Sequence, residues 1–313
     1  MTMQHRALGA SGLTIAPLVL GGNVFGWTAD RANSFAVLDA FVDGGGTMID
    51  TADVYSAWVD GHKGGESETV IGEWLRQSGK RDSVLIATKV GMMPGGLRPE
   101  AIERAVEGSL TRLGTDRIDL YFAHKDDTET PLDATLEAFS RLIDAGKVRS
   151  IGASNYSAMR LKAALDTAKV AGLPHYSVLQ PEYNLISRKG FEGELQDLAV
   201  THNIGVIPYY GLASGFLTGK YRSADDLGKS VRGGGMAKLL EGKGSDVLAA
   251  MDAVAAETGA TLAQIALAWL AAQDGVTAPI ASATSVAQLA ELMGYLEVEL
   301  TRDQIDRLTN AGA

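Results

Sequence analysis

The sequence predicts an α/β protein built as a (β/α)8 TIM barrel. Short β-branched or apolar runs recur along the chain, and helical patterns lie between them. Strict alternation of strands and helices implies a parallel sheet with right-handed crossovers, and eight such strands close naturally into a barrel. The chain has 313 residues, a length that a single barrel domain can occupy.

The spacing of the strands supports the barrel. The early strands lie about thirty residues apart, which is the length of one βα unit. An open doubly wound sheet is the main structural alternative, and it usually places a G-x-G-x-x-G turn after its first strand. The chain reads LGGNVFG at that point, which fits the motif poorly. The predicted strands are Leu18–Leu20, Thr47–Asp50, Val84–Thr88, Ile118–Phe122, Val148–Ala153, Val178–Gln180, Gly205–Pro208 and Val276–Ile280.

Helix start and stop signals place several of the intervening helices. Pro99 stands in a first helical turn, where proline is tolerated, and Ser157 is an N-cap candidate. Gly114, Gly146 and Gly172 are placed where a C-terminal cap is expected. The predicted helices are Arg98–Leu113, Leu132–Ala145, Ser157–Ala171 and Thr261–Ala272.

Two stretches interrupt the alternation. Residues 4–16 contain Ala10-Ser11-Gly12, which predicts a β-hairpin that caps the floor of the barrel. Residues 211–246 are rich in glycine and charge and form a long loop between strands 7 and 8. Such long loops are usually functional. Since no linker or internal repeat is visible beyond the βα period, we predict a single (β/α)8 barrel domain over residues 1–313.

Composition excludes several classes of protein. There is no cysteine, so a disulfide framework, a thiolate zinc site and a catalytic thiol are impossible. The net charge is −10 with no basic run, which argues against nucleic-acid binding. No stretch reaches the ~20 apolar residues of a membrane helix, and the first residues lack a signal-peptide apolar run. We therefore expect a cytoplasmic protein that binds neither membrane nor nucleic acid.

Polar side chains follow three consecutive predicted strands. Asp50 and Tyr55 come after the second strand, Lys89 after the third and His124 after the fourth. Because function in a (β/α)8 barrel gathers at the carboxyl ends of the strands, these side chains should converge. Each has a purely structural explanation when taken alone, although an idle lysine inside a barrel is rare.

The four residue types suit carbonyl reduction, which needs a hydride on carbon and a proton on oxygen. A tyrosine can give the proton, and a nearby lysine should lower its pKa from ~10. An aspartate can pair with the buried lysine, and a histidine can orient the carbonyl. A Schiff-base lyase or aldolase acting through Lys89 is an alternative. No His/Asp/Glu cluster lies on the strand ends, so no metal is predicted.

Several segments resemble motifs of the aldo-keto reductase superfamily, in the same order and over nearly the whole chain. The resemblance implies a general acid at Tyr55, a tuning pair at Lys89 and Asp50, and a carbonyl-orienting histidine at His124. Some barrels of this fold resemble channel-associated subunits that hold cofactor without turnover, which is a further alternative. The matching segments are Arg6–Leu13, Ile49–Tyr55, Ala87–Gly91, Ile118–His124, Ile151–Tyr156, Gln180–Asn184 and Leu212–Tyr221.

The resemblance also implies a nicotinamide cofactor. Ser154, Asn155 and Gln180 would bind the nicotinamide carboxamide, and Tyr209 would stack on its ring. The residues after the seventh strand would wrap the pyrophosphate. LASGFLTGKY in that loop is not a phosphate-binding G-x-x-x-x-G-K-[ST] motif, since a serine replaces its first glycine. The residues expected around the pyrophosphate are Gly211, Leu212, Gly215 and Lys220.

The segment that would bind the adenine end of the cofactor departs from the family pattern. Ser282, Thr284 and Gln288 would bind there, and Leu292 replaces a common asparagine. Without a lysine or arginine among them, the case for a 2′-phosphate weakens, but Arg232 in the long loop could supply that charge. NADP is therefore preferred only slightly over NAD.

The expected substrate is a small carbonyl compound or a sugar-like alcohol. Trp27 follows the first strand and Trp58 follows Tyr55, so both could line its pocket. They could equally well only cover the mouth of the barrel. The sequence names neither the substrate nor the oligomeric state.

Overall fold

The computed structural model describes residues 4–229, 233–240 and 242–313. At its centre is an eight-stranded sheet in the order β10-β3-β4-β5-β6-β7-β8-β9, with every pair parallel. This confirms the predicted parallel sheet. The strands are β3 Val19–Gly21, β4 Met48–Asp50, β5 Leu85–Val90, β6 Ile118–Ala123, β7 Val148–Ser154, β8 Val178–Gln180, β9 Gly205–Val206 and β10 Ile280–Ala281.

The two edges of the sheet meet. Val206 and Val276 form a parallel bridge, and the Ile280 amide donates a hydrogen bond of 3.0 Å to the Pro208 carbonyl oxygen. These contacts join β9 to the chain that leads into β10, so the sheet curls into a barrel. The eighth predicted strand, Val276–Ile280, is thus regular strand only at its end, because its first part makes a single bridge.

Helices cover the outside of the barrel. The predicted caps at Ser157, Gly114 and Gly172 are present, whereas α4 is capped by Ala145 and the predicted cap Gly146 follows it in the left-handed conformation. Ser157 accepts from the Arg160 amide, and Thr261 forms a capping box with Gln264. Gly114 and Gly172 end their helices in the left-handed conformation. The helices are α1 Arg31–Asp43, α2 Glu66–Ser78, α3 Pro99–Leu113, α4 Leu132–Asp144, α5 Ala158–Ala171, α6 Glu194–Thr201, α7 Ala237–Leu240, α8 Lys243–Thr258, α9 Leu262–Ala271, α10 Val286–Met293 and α11 Arg302–Ala311.

The N-terminal segment forms a short antiparallel ladder. Strand β1, Arg6–Ala7, pairs with strand β2, Thr14–Ile15, around a 3-10 turn and a left-handed Gly12. Apolar side chains of this ladder pack with inward-facing residues of the barrel strands, such as Met48. The segment thereby contributes to the interior core.

The segment of residues 211–246 between β9 and β10 holds mostly short turns. Ala224–Lys229 and Gly233–Met236 are 3-10 helices, and α7 follows them. Ala213–Thr218 consists of 3-10 turns that are interrupted by a kink at Ser214 and Gly215. No single helix of the described residues is long and apolar enough to cross a membrane; a pair, α8 with α9, passes such a test only when taken together across a bend of 97°.

Candidate active site

Strand alternation directs the predicted polar side chains inward. In a strand every second residue faces the same side. Met48 and Ala87 face the barrel interior, so Asp50 and Lys89, two residues further along β4 and β5, face the same side at the carboxyl end. Leu120 and Phe122 of β6 also face inward, and His124 continues their series.

Lys89 is the centre of the hydrogen-bonded group. Its Nζ atom donates to Asp50 Oδ2 at 2.7 Å, to the Thr51 carbonyl oxygen at 2.7 Å and to the Tyr55 hydroxyl oxygen at 2.8 Å. An ammonium has three donors, and all three are used although the side chain is completely buried. The Tyr55 hydroxyl in turn donates to Asp50 Oδ2 at 3.3 Å.

Burial governs the protonation of this group. It lowers the pKa of Lys89, an effect opposed by the Asp50 carboxylate. It also raises the pKa of Tyr55 well above its usual value, and the charge of Asp50 adds to that rise. The expected net fall in the pKa of Tyr55 is therefore absent, because desolvation and the charge of Asp50 outweigh the effect of the Lys89 ammonium. The phenol is desolvated, and the carboxylate that neutralises the lysine also repels a phenolate.

His124 lies beside the tyrosine. The two ring centroids are 5.9 Å apart. Burial, together with the positive charge of Lys89, holds the pKa of His124 well below its usual value. The imidazole is therefore neutral at neutral pH, with one N–H donor and one acceptor nitrogen. Its Nδ1 atom is buried without a hydrogen-bond partner among the described residues.

A chain of hydrogen bonds connects this group to the next strands. The Tyr209 hydroxyl donates to Asn155 Oδ1 at 2.7 Å, and Asn155 Nδ2 donates to Ser154 Oγ at 3.1 Å. Ser154 Oγ donates to the Gln180 carbonyl oxygen at 2.8 Å, and Gln180 Nε2 donates to Asp50 Oδ1 at 2.8 Å. The residues expected around a nicotinamide are thus brought together with those expected to react.

The backbone after β9 is unusual. Tyr210, Ala213 and Ser214 have φ values of 57°, 46° and 55°, and Gly215 follows at 93°. Non-glycine residues in the left-handed region are uncommon and cluster at functional sites. A Cβ on Gly211 would lie 3.0 Å from Leu270 Cδ2, so this turn lies directly against α9.

Two of the residues expected around a pyrophosphate, Leu212 and Lys220, lie at or near this turn. Leu212 is half-buried and Lys220 is exposed. A Cβ on Gly215 would lie 3.1 Å from the Lys220 ammonium, so that charge lies over the left-handed turn. Arg232, which was expected to supply a second charge, lies outside the described residues.

At the end of β10 the expected residues bond one another. Ser282 Oγ donates to Asn23 Oδ1 at 2.6 Å. Gln288 Oε1 accepts from both the amide and the hydroxyl of Thr284, at 2.9 Å each. Leu292 is buried in the core and offers no polar group.

Two tryptophans lie beside Tyr55. The Trp58 ring is 6.1 Å from the Tyr55 ring and 5.6 Å from the Trp27 ring, in edge-to-face arrangements. Trp58 is half exposed. This places an aromatic wall next to the hydroxyl that would meet a substrate.

Sequence reasoning missed several residues of this region. Asn23 holds Ser282, the Thr51 carbonyl accepts from Lys89, and Glu68 lies buried behind β5. Glu68 was detectable, because it falls three and seven residues before Ile71 and Leu75 on the buried face of α2. The roles of Asn23 and the Thr51 backbone carry no such signal.

The donor set fits a nicotinamide dinucleotide. The Gln180 amide, the Asn155 amide and the Ser154 hydroxyl supply the donors and acceptors that a carboxamide requires. In the described part of the chain no donor reaches Gln180 Oε1, so that atom can accept from a ligand. The left-handed turn and the Lys220 ammonium suit an anion.

A tyrosine, a lysine and a carboxylate joined by hydrogen bonds at the carboxyl end of a parallel barrel have the chemistry that proton transfer requires. Known proteins place this site in a family. The sequence profile of the Aldo/keto reductase family matches residues 17–313. The chain therefore belongs to the aldo/keto reductase family of oxidoreductases, which confirms the resemblance in its motifs.

Individual relatives cover almost the whole chain. A protein of Oryza sativa subsp. japonica named probable voltage-gated potassium channel subunit beta is 34% identical, over 98% of this chain and 95% of the relative. Aldo-keto reductase yakc of Schizosaccharomyces pombe, whose name specifies NADP(+), is 32% identical over 92% and 84%. L-glyceraldehyde 3-phosphate reductase of Escherichia coli is 31% identical over 92% and 86%.

Proposed function

We propose that this protein uses NADP(H) to reduce an aldehyde or ketone, or to oxidise a sugar-like alcohol, with Tyr55 as general acid or base. One observation carries the proposal: the Tyr55 hydroxyl is bonded to both Lys89 and Asp50 at the carboxyl end of the barrel. No purely structural role requires a completely buried lysine to donate to a half-buried phenol.

The roles of the residues follow from their contacts. The reduced nicotinamide, when bound, supplies a hydride to the carbonyl carbon. Tyr55 gives its proton to the carbonyl oxygen, and the Lys89 ammonium 2.8 Å away stabilises the phenolate that remains. The neutral His124 donates a hydrogen bond that orients the carbonyl. The same contacts serve the reverse reaction, in which Tyr55 takes the proton.

Cofactor binding is assigned to the neighbouring strand ends. Ser154, Asn155 and Gln180 would hold the carboxamide, and Tyr209 would cover one face of the ring. The turn from Gly211 to Lys220 would hold the pyrophosphate, and the end of β10 would hold the adenosine. The name of the relative yakc, which specifies NADP(+), supports NADP(H) ahead of NAD(H).

The role of Tyr55 is tested with Tyr55→Phe. The variant should lose about 10²- to 10⁴-fold in kcat, the usual contribution of a general acid. Its affinity for NADPH should stay within about twofold, because the ring remains. Tyr176→Phe is the matched control, since Tyr176 is buried, is not one of the proposed site residues, and its hydroxyl bonds only Tyr156 among the described residues. Full activity of Tyr55→Phe would refute the assigned role.

Cofactor preference is measured by titrating the protein with NADPH and with NADH while following tryptophan fluorescence. We expect tighter binding of NADPH. Preference for NADH would show that the end of β10, where Ser282, Thr284 and Gln288 carry no charge, decides specificity. Binding of neither cofactor would refute the proposed function.

Substrate preference is tested by measuring kcat/KM on a panel of carbonyl compounds. The aromatic wall of Trp27 and Trp58 favours a carbonyl compound with a ring, because such a ring stacks on aromatic faces. L-glyceraldehyde 3-phosphate belongs on the panel because one relative is named for its reduction. Aromatic aldehydes should show the higher kcat/KM.

A second candidate function is a regulatory subunit that holds cofactor with little turnover. The name of the Oryza sativa relative favours it. It predicts retained cofactor, negligible turnover on the whole panel and a stable complex with a partner protein. The intact set of Asp50, Tyr55, Lys89 and His124 favours the enzyme.

A further inference from the structure

A second group of charged residues lies behind the active-site lysine. Asp53 follows β4 and is buried, and its amide donates to the Lys89 carbonyl oxygen at 3.3 Å. Glu68 of α2 is completely buried and accepts from Thr88 Oγ1 at 2.6 Å and from Arg112 Nε at 2.7 Å. Asp53 is therefore attached by its backbone to the strand that carries Lys89.

The charges in this region do not balance. Lys89 and Arg112 are the cations, and Asp50, Asp53 and Glu68 are the acids. Asp50 is paired with Lys89, and Glu68 with Arg112. Asp53 is left over, and its Oδ1 atom is buried without a hydrogen-bond partner among the described residues. A buried carboxylate is costly unless a charge or hydrogen bonds compensate it, so Asp53 needs a reason to be there.

We propose that Asp53 is a positioning residue that, together with Asp50, keeps Lys89 in its charged form. Burial favours the neutral amine of a lysine, whereas the proposed chemistry needs the ammonium beside Tyr55. The Asp53 backbone is bonded to the Lys89 carbonyl oxygen, and the negative charge of Asp53 favours the charged form of Lys89. This inference rests on the proposed function, because it assigns Lys89 a charge that the reaction uses.

The groups that face Asp53 come from four elements: Glu68 from α2, Arg112 from α3, Lys89 from β5 and Tyr121 from β6. Burial and the negative charge of Glu68 raise the pKa of Asp53 to about 7, against the pull of Arg112 and Lys89. Burial lowers the pKa of Lys89, and the charges of Asp50 and, to a smaller extent, Asp53 oppose that fall. Above neutral pH Asp53 is ionised and supports the ammonium; below it the carboxyl is neutral and the support is absent.

The test compares the pH profile of kcat for the wild-type protein and for Asp53→Asn, which keeps the shape and removes the charge. In the variant, Lys89 should lose its proton at lower pH, so the alkaline limb should move down by about one unit. Tyr121→Phe is the matched control. It removes another buried group without a partner among the described residues, changes no charge and should leave the profile in place.

A double-mutant cycle measures the coupling between Asp53 and Lys89 from protein stability, so it does not require turnover. At pH 8, Asp53→Asn should raise the unfolding midpoint more in a Lys89→Met background than in the wild type, because Asp53 has lost its cation there. The advantage of Asp53→Asn over wild type should also grow between about pH 4 and pH 7. In that window the unfolded carboxyl loses its proton while the folded one keeps it, so wild-type stability falls as pH rises.

The outcomes separate this inference from the proposed function. Superimposed pH profiles for wild type and Asp53→Asn, or equal stability effects in both backgrounds, would overturn the role of Asp53. Absence of turnover on every carbonyl together with clear coupling in the cycle would refute the proposed function while leaving Asp53 as the residue that holds Lys89.

Discussion

The proposed reaction centre at Asp50, Tyr55 and Lys89 and the segment of residues 211–246 are built differently. In the centre, each donor of a buried ammonium has an acceptor fixed on a strand end or the turn that follows. The segment consists largely of short 3-10 turns, and its ion pairs, such as Arg222 with Asp252, are exposed. Buried polar contacts hold the side chains of the centre in place. The conformation of the segment depends mainly on its backbone turns.

This difference indicates which kind of substitution each region should be sensitive to. Buried charges are expensive to separate, so the centre should respond strongly to any change of charge. The segment should respond to backbone changes and only weakly to surface charge. A proton-transfer site needs fixed distances, whereas a cofactor must enter and leave, and the two constructions suit those two tasks.

Lys89→Met is the change with the largest expected effect. It should lower kcat by about 10²- to 10⁴-fold, because Tyr55 loses the ammonium that stabilises its phenolate. It should also lower the free energy of unfolding by about 3–5 kcal/mol, because the Asp50 carboxylate is left buried without its cation. Steady-state kinetics and urea unfolding measure the two effects.

The double variant Asp50→Asn with Lys89→Met sharpens the result. Removing both charges should restore much of the lost stability but none of the activity. If the double variant also regained activity, the loss in Lys89→Met would be a consequence of unfolding, and the centre would not depend on the charge of Lys89.

The fold was readable from sequence because its signals are local. The apolar runs that begin at Thr47 and Val84, the N-cap at Ser157 and the C-cap at Gly172 each lie within a few residues of the element that they define, and most predicted bounds differ from the observed ones by only one or two residues. Val276–Ile280 was the exception. Whether a residue belongs to a regular strand depends on its pairing with a residue of the neighbouring strand, here Val206. The sequence alone does not show which residues pair across the barrel.

The site was readable where a strand end fixes the side chain. Asp50, Lys89 and His124 follow from period-two alternation, and Tyr55 from the turn beside them. The direction of the pKa change of Tyr55 was not readable, because it depends on how deeply the phenol is buried and on its contact with Asp50. Asp53 was missed because its burial depends on the helices packed around it.

Gly215→Ala tests the backbone turn in the segment of residues 211–246. Gly215 has a φ of 93°, and an L-residue in a left-handed conformation costs about 1–2 kcal/mol. The turn should shift, and the dissociation constant of NADPH should rise about tenfold, or ~1.4 kcal/mol, with kcat at saturation nearly unchanged. Gly190→Ala is the control, because a Cβ there meets nothing within 4 Å and its φ is not in the left-handed region. Equal effects of both variants would show that the turn does not hold the cofactor.

The smallest expected effect on NADPH binding concerns two cations in the same segment, Lys220 and Arg222. Lys220 has no acidic partner among the described residues, whereas Arg222 is held by both Asp252 oxygens at 2.8 Å. Lys220→Ala should weaken NADPH binding about threefold, and the loss should shrink at high salt because the charge is exposed. Arg222→Ala should leave binding unchanged and cost less than about 1 kcal/mol in unfolding free energy. Titrations at low and high salt measure both variants. A larger loss of affinity in Arg222→Ala would mean that ion pairing, and not the backbone turn, shapes the cofactor site.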